Sequence, residues 1–415
     1  MRRAAVGLAG LLLALAPSAA PAALAEVSAP QTAGAAADGV RDAQYWLDDL
    51  GIRTAWQTTR GAGQTIAIID TGVASGVAEL DAAVTGGADF SGSGSSDGRT
   101  PVGESSEHGT LVASLAAGRG TGAASGVIGA APEADLLAIS ISFGSDSDDQ
   151  IAEAVVWAVD NGATVINMSL TRNTLDWPTS WDDAFLYAAD HDVVIVVAAG
   201  NRGSGTERVG APATIPGVLT VAGVTRAGVA SIDASSQGIT IGVAAPSESL
   251  VGVTPSGGYV SWQGTSGATP IVAGIVALVR AAHLELDAAN VIQRVLATAR
   301  NQGPEGPDVS YGYGIVDASA AVSADVAAVE ANPLGDLREW IGLHRHVATA
   351  SVFPGDRAAS PPAEAVADEV VPVVLSPAWW QLAVLPWLAT GVLAYIAVGF
   401  TWGLALHFRR ARASD

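Results

Sequence analysis

Between about Tyr45 and Glu330, short runs of apolar, mostly β-branched residues alternate with segments of helical periodicity. That alternation constrains the fold more than any other feature of the chain. Residues 66–69 (IAII), 136–141, 165–170, 193–198 and 218–224 are near-continuous apolar runs of strand length. A strand that is apolar on both sides of its pleat has both faces buried, as in parallel sheets covered by helices. Residues 146–161 (DSDDQIAEAVVWAVDN) open on acids, carry apolar residues at helical spacing and stop at Gly162, and residues 181–189 read as a further helix. The pattern predicts an α/β domain with a doubly wound, mostly parallel sheet and helices on both faces. In such sheets functional groups gather at the carboxyl ends of the strands.

Four residues stand at such ends or at helix starts. Asp70 closes the run IAIIDTGV, and Asn201 follows VVIVVAAG. His108 opens the helix-like EHGTLVASLAAG. Ser266 lies in WQGTSGATPIVAGIVALVRAA, where a Gly-rich turn enters an apolar helix. Taken singly, each also fits a turn or a helix cap. Taken together, they are the groups that nucleophilic acyl transfer requires. A hydroxyl needs a base to attack, an imidazole titrates near neutrality, and a carboxylate orients the imidazole and stabilises its cation. The Asn201 amide can donate to an oxyanion, and a hydroxyl at a helix N-terminus sits where unpaired N–H groups favour negative charge.

The two ends of the chain are of another kind. The start, MRRAAVGLAGLLLALAPSAAPAALAEVS, has a basic n-region, a short apolar core and an Ala23-Leu24-Ala25 cleavage pattern, and predicts a signal peptide over 1–25. Its core is short for a transmembrane anchor. An extension over 26–44 precedes the domain at 45–330. Residues 331–377 are rich in Pro, Ala and acids and read as a linker, with a short helix near 334–346. Residues 378–408 carry no charge before His407 and are flanked by Trp379, Trp380, Trp387 and Trp402. They predict one membrane span, followed by an Arg-rich tail at 409–415 on the cytoplasmic side, with the domain outside. The mean hydropathy of +0.35 agrees with such a span. A net charge of −21 argues against a nucleic-acid partner, which needs a basic face. The absence of Cys removes disulfides, thiol catalysis and cysteine-held metals.

The motifs IAIIDTGV, HGTLVA, VINMSL, AAGN and GTSGATPIVAG, in that order, resemble the subtilase family of serine proteases. So do APATIPGVLTVAGV, the AAP at 244–246 and the closing YGYGIVDASAAV. The likeness runs over about residues 50–322. It implies a subtilisin-like fold, with Asp70, His108 and Ser266 as the catalytic triad and Asn201 and the Ser266 N–H as oxyanion donors. It also implies that Ser169, Leu170 and Thr171 face Ala199 and Gly200 as two walls of the primary specificity pocket, with Gly210 near its floor. Two departures matter. Gly267 stands where the family usually has a bulkier residue, which would loosen the turn carrying Ser266. Only 44 residues separate Ala25 from Asp70, too few for the long propeptide of many subtilases.

The signal peptide, stalk, span and basic tail, with YWLDDLGIRTAWQTTRGAGQTIAIIDTGV, are similar to the mycosins, the membrane-anchored subtilases of actinobacterial type VII secretion systems. Mycosins often carry disulfides, and this chain has no Cys, so a generic anchored subtilase stays open beside them. A structural component of a secretion complex, with proteolysis secondary or lost, is the alternative from another functional class. Polypeptides are the expected substrates, with the cytoplasmic membrane and a secretion complex as partners. No cofactor is required. Asp81, Asp89, Asp97 and the cluster at 146–149 offer carboxylates to calcium without a clear motif, and read as a solvated acidic face.

Overall fold

The computed structural model describes residues 39–143 and 147–345. The signal segment, the linker from 346 onward, the span at 378–408 and the tail lie outside the described residues. Seven strands form one sheet: β1 (Thr65–Asp70), β2 (Val84–Asp89), β3 (Asp135–Ser140), β4 (Val165–Met168), β5 (Val194–Ala198), β6 (Leu219–Val224) and β7 (Ile241–Pro246). Their order is β2-β3-β1-β4-β5-β6-β7, and every pairing within this sheet is parallel. A separate antiparallel pair joins β8 (Leu250–Val253) to β9 (Tyr259–Trp262).

The helices are α1 (Gly39–Ala43), α2 (Trp46–Asp49), α3 (Ile52–Ala55), α4 (His108–Ala117), α5 (Ser147–Asp160), α6 (Thr179–Asp190), α7 (Thr265–Ala282), α8 (Ala288–Ala297), α9 (Ala318–Ser323) and α10 (Leu337–His344). Every residue of β4, β5, β6 and β7 is buried, as is all of β1 beyond Thr65. Consecutive residues point to opposite faces of a strand, so such burial requires cover on both faces. Helix α7 crosses β1, β4, β5, β6 and β7 with α4 beside it, while α5 and α6 pack on each other and against β1 and β5 respectively.

Strand β2, VTGGAD, was not legible as a strand. It carries two glycines and one buried residue, and it is an edge strand paired only to β3. Helix α7 is the one described helix long and apolar enough to cross a membrane, but 83% of its apolar window is buried inside the domain. It is the core helix under the sheet. Residues 332–345, read above as the start of the linker, pack on the domain. Asn332 Nδ2 donates to the Gly217 carbonyl at 2.9 Å, and Leu337 is buried. Arg345 pairs with Asp182 at 2.9 Å and lies over the rings of Trp177 and Trp340.

The sheet order puts β1 third of the seven strands, inside the sheet. The chain builds outward to β3 and β2 on one side and to β4 through β7 on the other. Loops leaving β1, β3 and β4 therefore diverge at one place, and a crevice opens at the carboxyl ends there.

Candidate active site

Asp70 is the last residue of β1 and has no exposed surface. Its carboxylate oxygens lie 2.8 and 2.9 Å from His108 Nδ1, and Oδ1 also accepts the Thr71 N–H at 2.7 Å. His108 is the first residue of α4. What brings it so close is the residue after it. A Cβ on Gly109 would overlap the Gly72 carbonyl oxygen, so only glycine lets the start of α4 press onto the loop leaving β1. The Gly109 N–H then donates to Thr71 Oγ1 at 2.9 Å. Burial pulls the His108 imidazole toward the neutral form, but the Asp70 carboxylate, by charge and by hydrogen bond, and Glu107, by charge, outweigh it. The net shift is upward from the ordinary histidine value.

Ser266 is the second residue of α7. The turn before it passes through Gly264 at φ +137°, a backbone conformation that side-chain-bearing residues rarely adopt. At a helix start the first N–H groups lack intrahelical acceptors. The Thr265 N–H goes to Asn201 Oδ1 at 2.7 Å and that of Gly267 to the Gly264 carbonyl at 3.0 Å. The Ser266 N–H is engaged by none of the described residues. Thr265 Oγ1 also reaches Asn201 Oδ1, at 3.0 Å, so the amide oxygen is held by two donors and the Nδ2 group faces away from them. Asn201 lines a smaller cavity with Gln263 and Gly264.

The Ser266 hydroxyl donates to the Ser169 carbonyl at 3.2 Å, and the Ser169 hydroxyl donates back to the Ser266 carbonyl at 2.9 Å. Among the described residues, Ser266 Oγ makes no hydrogen bond to His108. His108 and Ser169 both line a cleft of about 630 Å³, with Thr71, Glu104, Phe143, Leu170 and Thr171. Ser169 thus reaches both the cleft and the Ser266 turn. Trp262, at the end of β9, is a further bridge: its ring stands edge-on to the His108 ring at 6.0 Å.

A Cβ on Gly267 would overlap Leu250 and come to 3.3 Å from the Trp262 ring. The turn is therefore not left loose by its glycine, because Leu250 and Trp262 fill the space that a larger residue would take. Gly200 lies across from Thr171, where an added Cβ would reach the threonine methyl at 3.2 Å. The Ala199 N–H bonds the Val221 carbonyl at 3.0 Å, which fixes that wall to β6. Gly210 is buried, and a Cβ there would overlap the Arg172 carbonyl oxygen. The 210–211 segment presses on the loop that continues the Ser169–Thr171 wall. Trp262 and Thr265 carried no role in the sequence reading; a hydroxyl beside a candidate nucleophile was the signal available for Thr265.

Four of the acidic residues offered to calcium, Asp81, Asp89, Asp97 and Asp148, are engaged by protein donors. Asp81 pairs with Arg99 at 2.6 Å, Asp89 accepts from Ser140, Ser91 and Gly94, Asp97 from Ser95, and Asp148 pairs with Arg172. Among the described residues no group of three or more His, Asp or Glu comes together to hold a metal ion.

A parallel α/β sheet with a carboxylate–imidazole pair at one strand end, and a serine at a helix N-terminus bonded to Ser169 of the His108 cleft, carries the groups that a serine hydrolase uses. The subtilase family model matches residues 61–314, and the chain belongs to that family. It is 36% identical to subtilisin DY of Bacillus licheniformis, over 64% of this chain and 93% of the subtilisin. It is equally, 36%, identical to mycosin-3 of Mycobacterium tuberculosis, over 66% of this chain and 70% of the mycosin. The crystal structure of MycP1 with its N-terminal propeptide removed superposes with a TM-score of 0.61 at 32% identity, over 69% of this chain and 98% of that one. The protein is a mycosin-like subtilase and a serine endopeptidase.

Proposed function

We propose that the chain cuts polypeptides outside the cytoplasmic membrane through Asp70, His108 and Ser266, tethered by its C-terminal span and serving a type VII secretion system. The 2.8 Å contact between His108 Nδ1 and Asp70 is the observation that most supports it. It leaves the other ring nitrogen, Nε2, for Ser266.

The substrate backbone pairs as an added strand along Ser169–Thr171. The Ser266 hydroxyl leaves the Ser169 carbonyl and gives its proton to His108 Nε2 as its oxygen attacks the scissile carbonyl carbon. The tetrahedral oxyanion takes hydrogen bonds from Asn201 Nδ2 and the Ser266 N–H, at the positive end of α7. Asp70 stabilises the imidazolium. His108 returns the proton to the leaving amine, and an acyl group remains on Ser266. Water then attacks that acyl group with His108 again as base, releasing the acid and restoring the hydroxyl. Support for the secretion role comes from the likeness to mycosins. One solved relative, MycP1, is described as an essential component of the type VII (ESX-1) secretion system. The apolar, tryptophan-flanked segment at 378–408 and the arginines after it support the anchor.

The direct test is fluorophosphonate labelling of the full-length chain. Covalent labelling that disappears in Ser266→Ala is expected, and an unlabelled but folded wild type refutes the assignment. For topology, protease added to spheroplasts should degrade the domain and spare a tag at residue 415. A protected domain would reverse the orientation.

A further inference from the structure

Asn167 lies inside β4, fully buried, between β1 and β5. Its Nδ2 lies 3.1 Å from Ser169 Oγ, and its Oδ1 has no hydrogen-bond partner. A buried polar atom left unpaired is costly, so an asparagine kept there calls for a reason.

The reason begins at Pro270, inside α7. In a helix the N–H of residue 270 would bond to the carbonyl of residue 266. Proline has no N–H, so the Ser266 carbonyl loses its helical donor. The Ser169 hydroxyl supplies the missing bond, at 2.9 Å. A serine hydroxyl has one proton. Since Ser169 gives its proton to Ser266, its oxygen can only accept from Asn167, which fixes the amide as the donor. The order of donation is therefore Asn167 Nδ2 to Ser169 Oγ to the Ser266 carbonyl.

We propose that Asn167 is a positioning residue: through Ser169 it replaces the helix bond that Pro270 removes, and so holds the peptide of the nucleophile still. This rests on the assignment of Ser266 above. At rest two hydrogen bonds join Ser169 and Ser266, one in each direction. When Ser266 Oγ turns to the base, its own bond to Ser169 is given up. The bond from the Ser169 hydroxyl is then the one remaining between the two residues, and Asn167 directs it. The Ser266 N–H must stay aimed at the oxyanion through that turn. A displacement of about 1 Å at a reacting centre costs on the order of 10²-fold, so a partial loosening should cost about 10-fold.

The probe is a fluorophosphonate, with the maximal rate of inactivation (kinact) and the concentration for half-maximal rate (KI) measured separately on the full-length chain. Asn167→Leu has similar volume and no donor. Asn167→Asp has the same shape, and when ionised it only accepts. Ser169→Ala removes the relay. The expected result is a kinact about 10-fold lower in both Asn167 variants with KI unchanged, a lowered kinact in Ser169→Ala, and no further loss of kinact in Asn167→Leu/Ser169→Ala over the worse single variant. Folded Asn167 variants that react as wild type, or losses that multiply in the double variant, overturn the relay. If neither Asn167 variant folds, equal kinact in Ser169→Ala and wild type overturns it, and a fall in kinact larger than any change in KI upholds it. A wild type with no Ser266-dependent labelling removes the protease assignment and the relay together, and so is distinguished from failure of the relay alone.

Discussion

The two sets of candidate residues are held by different forces. Asp70 and His108 are joined by charge: a carboxylate with no exposed surface sits against an imidazole whose proton affinity is raised despite burial. Ser266 and Asn201 are held by neutral, directional bonds, to Ser169 and to Thr265. In the proposed mechanism the base must hold a proton for part of the cycle, and it gains from a fixed counter-charge. The proposed nucleophile and oxyanion donor gain from being aimed, and a net charge beside them would attract water and shift protonation.

The comparison breaks most completely if either side loses its reacting atom. In a subtilisin, removing the nucleophile or the base costs about 2 × 10⁶-fold in kcat, and Ser266→Ala and His108→Ala should each lose activity on that order while remaining folded. Turnover of a peptide anilide above about 1% of wild type in either variant would place the chemistry elsewhere.

The charged side is tested next by Asp70→Asn. A loss of about 10⁴-fold in kcat is expected, because an amide in place of the carboxylate favours the wrong tautomer of the base. The raised His108 pKa also sets the sign of two pH effects. The base acts only when neutral, so the rising limb of kcat/KM should have its midpoint above about 6.5. The contribution of the pair to stability runs the other way: it is complete below about pH 6.5 and is lost as pH rises through the folded-state pKa. A rising limb centred below the ordinary histidine value would show that Asp70 does not govern His108.

The neutral side should respond more weakly and without moving the pH profile. Asn201→Ala is expected to lower kcat by about 10²–10³-fold, or about 2.7–4 kcal/mol, with KM within a few-fold. If Asn201 only shapes its turn, the variant would instead melt earlier and turn over normally, which thermal melts beside steady-state kinetics distinguish. The smallest effect is expected at Gly267. Gly267→Met should overpack Leu250 and Trp262 and cost about 1–3 kcal/mol of stability. Leu250→Ala in the same chain should recover part of that loss, and additive losses in urea unfolding would mean that Leu250 is not the obstacle.

Much of this architecture was legible in the sequence. Strands β1, β3, β4, β5 and β6 announce themselves because a strand buried on both faces must be apolar at consecutive positions. Asp70 and Asn201 could be singled out because each is a polar residue ending or following an apolar run at its carboxyl end. Strand β2 was not, since an edge strand with two glycines and part-exposed positions has no apolar pattern to read. Strand β9 likewise has three exposed residues before Trp262, and nothing in YVSW points to the imidazole its ring meets. Asn167 was hidden for the opposite reason: inside VINMSL it looked like one more strand position.

The sequence by itself determined the order of the parts, because hydrophobic periodicity is local and each motif carries its own turn or helix start. It named the carboxylate, the imidazole, the hydroxyl and the amide. Their contacts depend on residues far apart in the chain. Only the tertiary structure decided that Gly109 admits His108 to within 2.8 Å of Asp70, and that Leu250 and Trp262 occupy the space beside Gly267. It alone gave the carbonyl orphaned by Pro270 its donor from Ser169, 97 residues away along the chain. Hydrogen bonds fall off within a few tenths of an ångström, and packing tolerates no overlap, so such choices are made only when the sheet brings distant segments together.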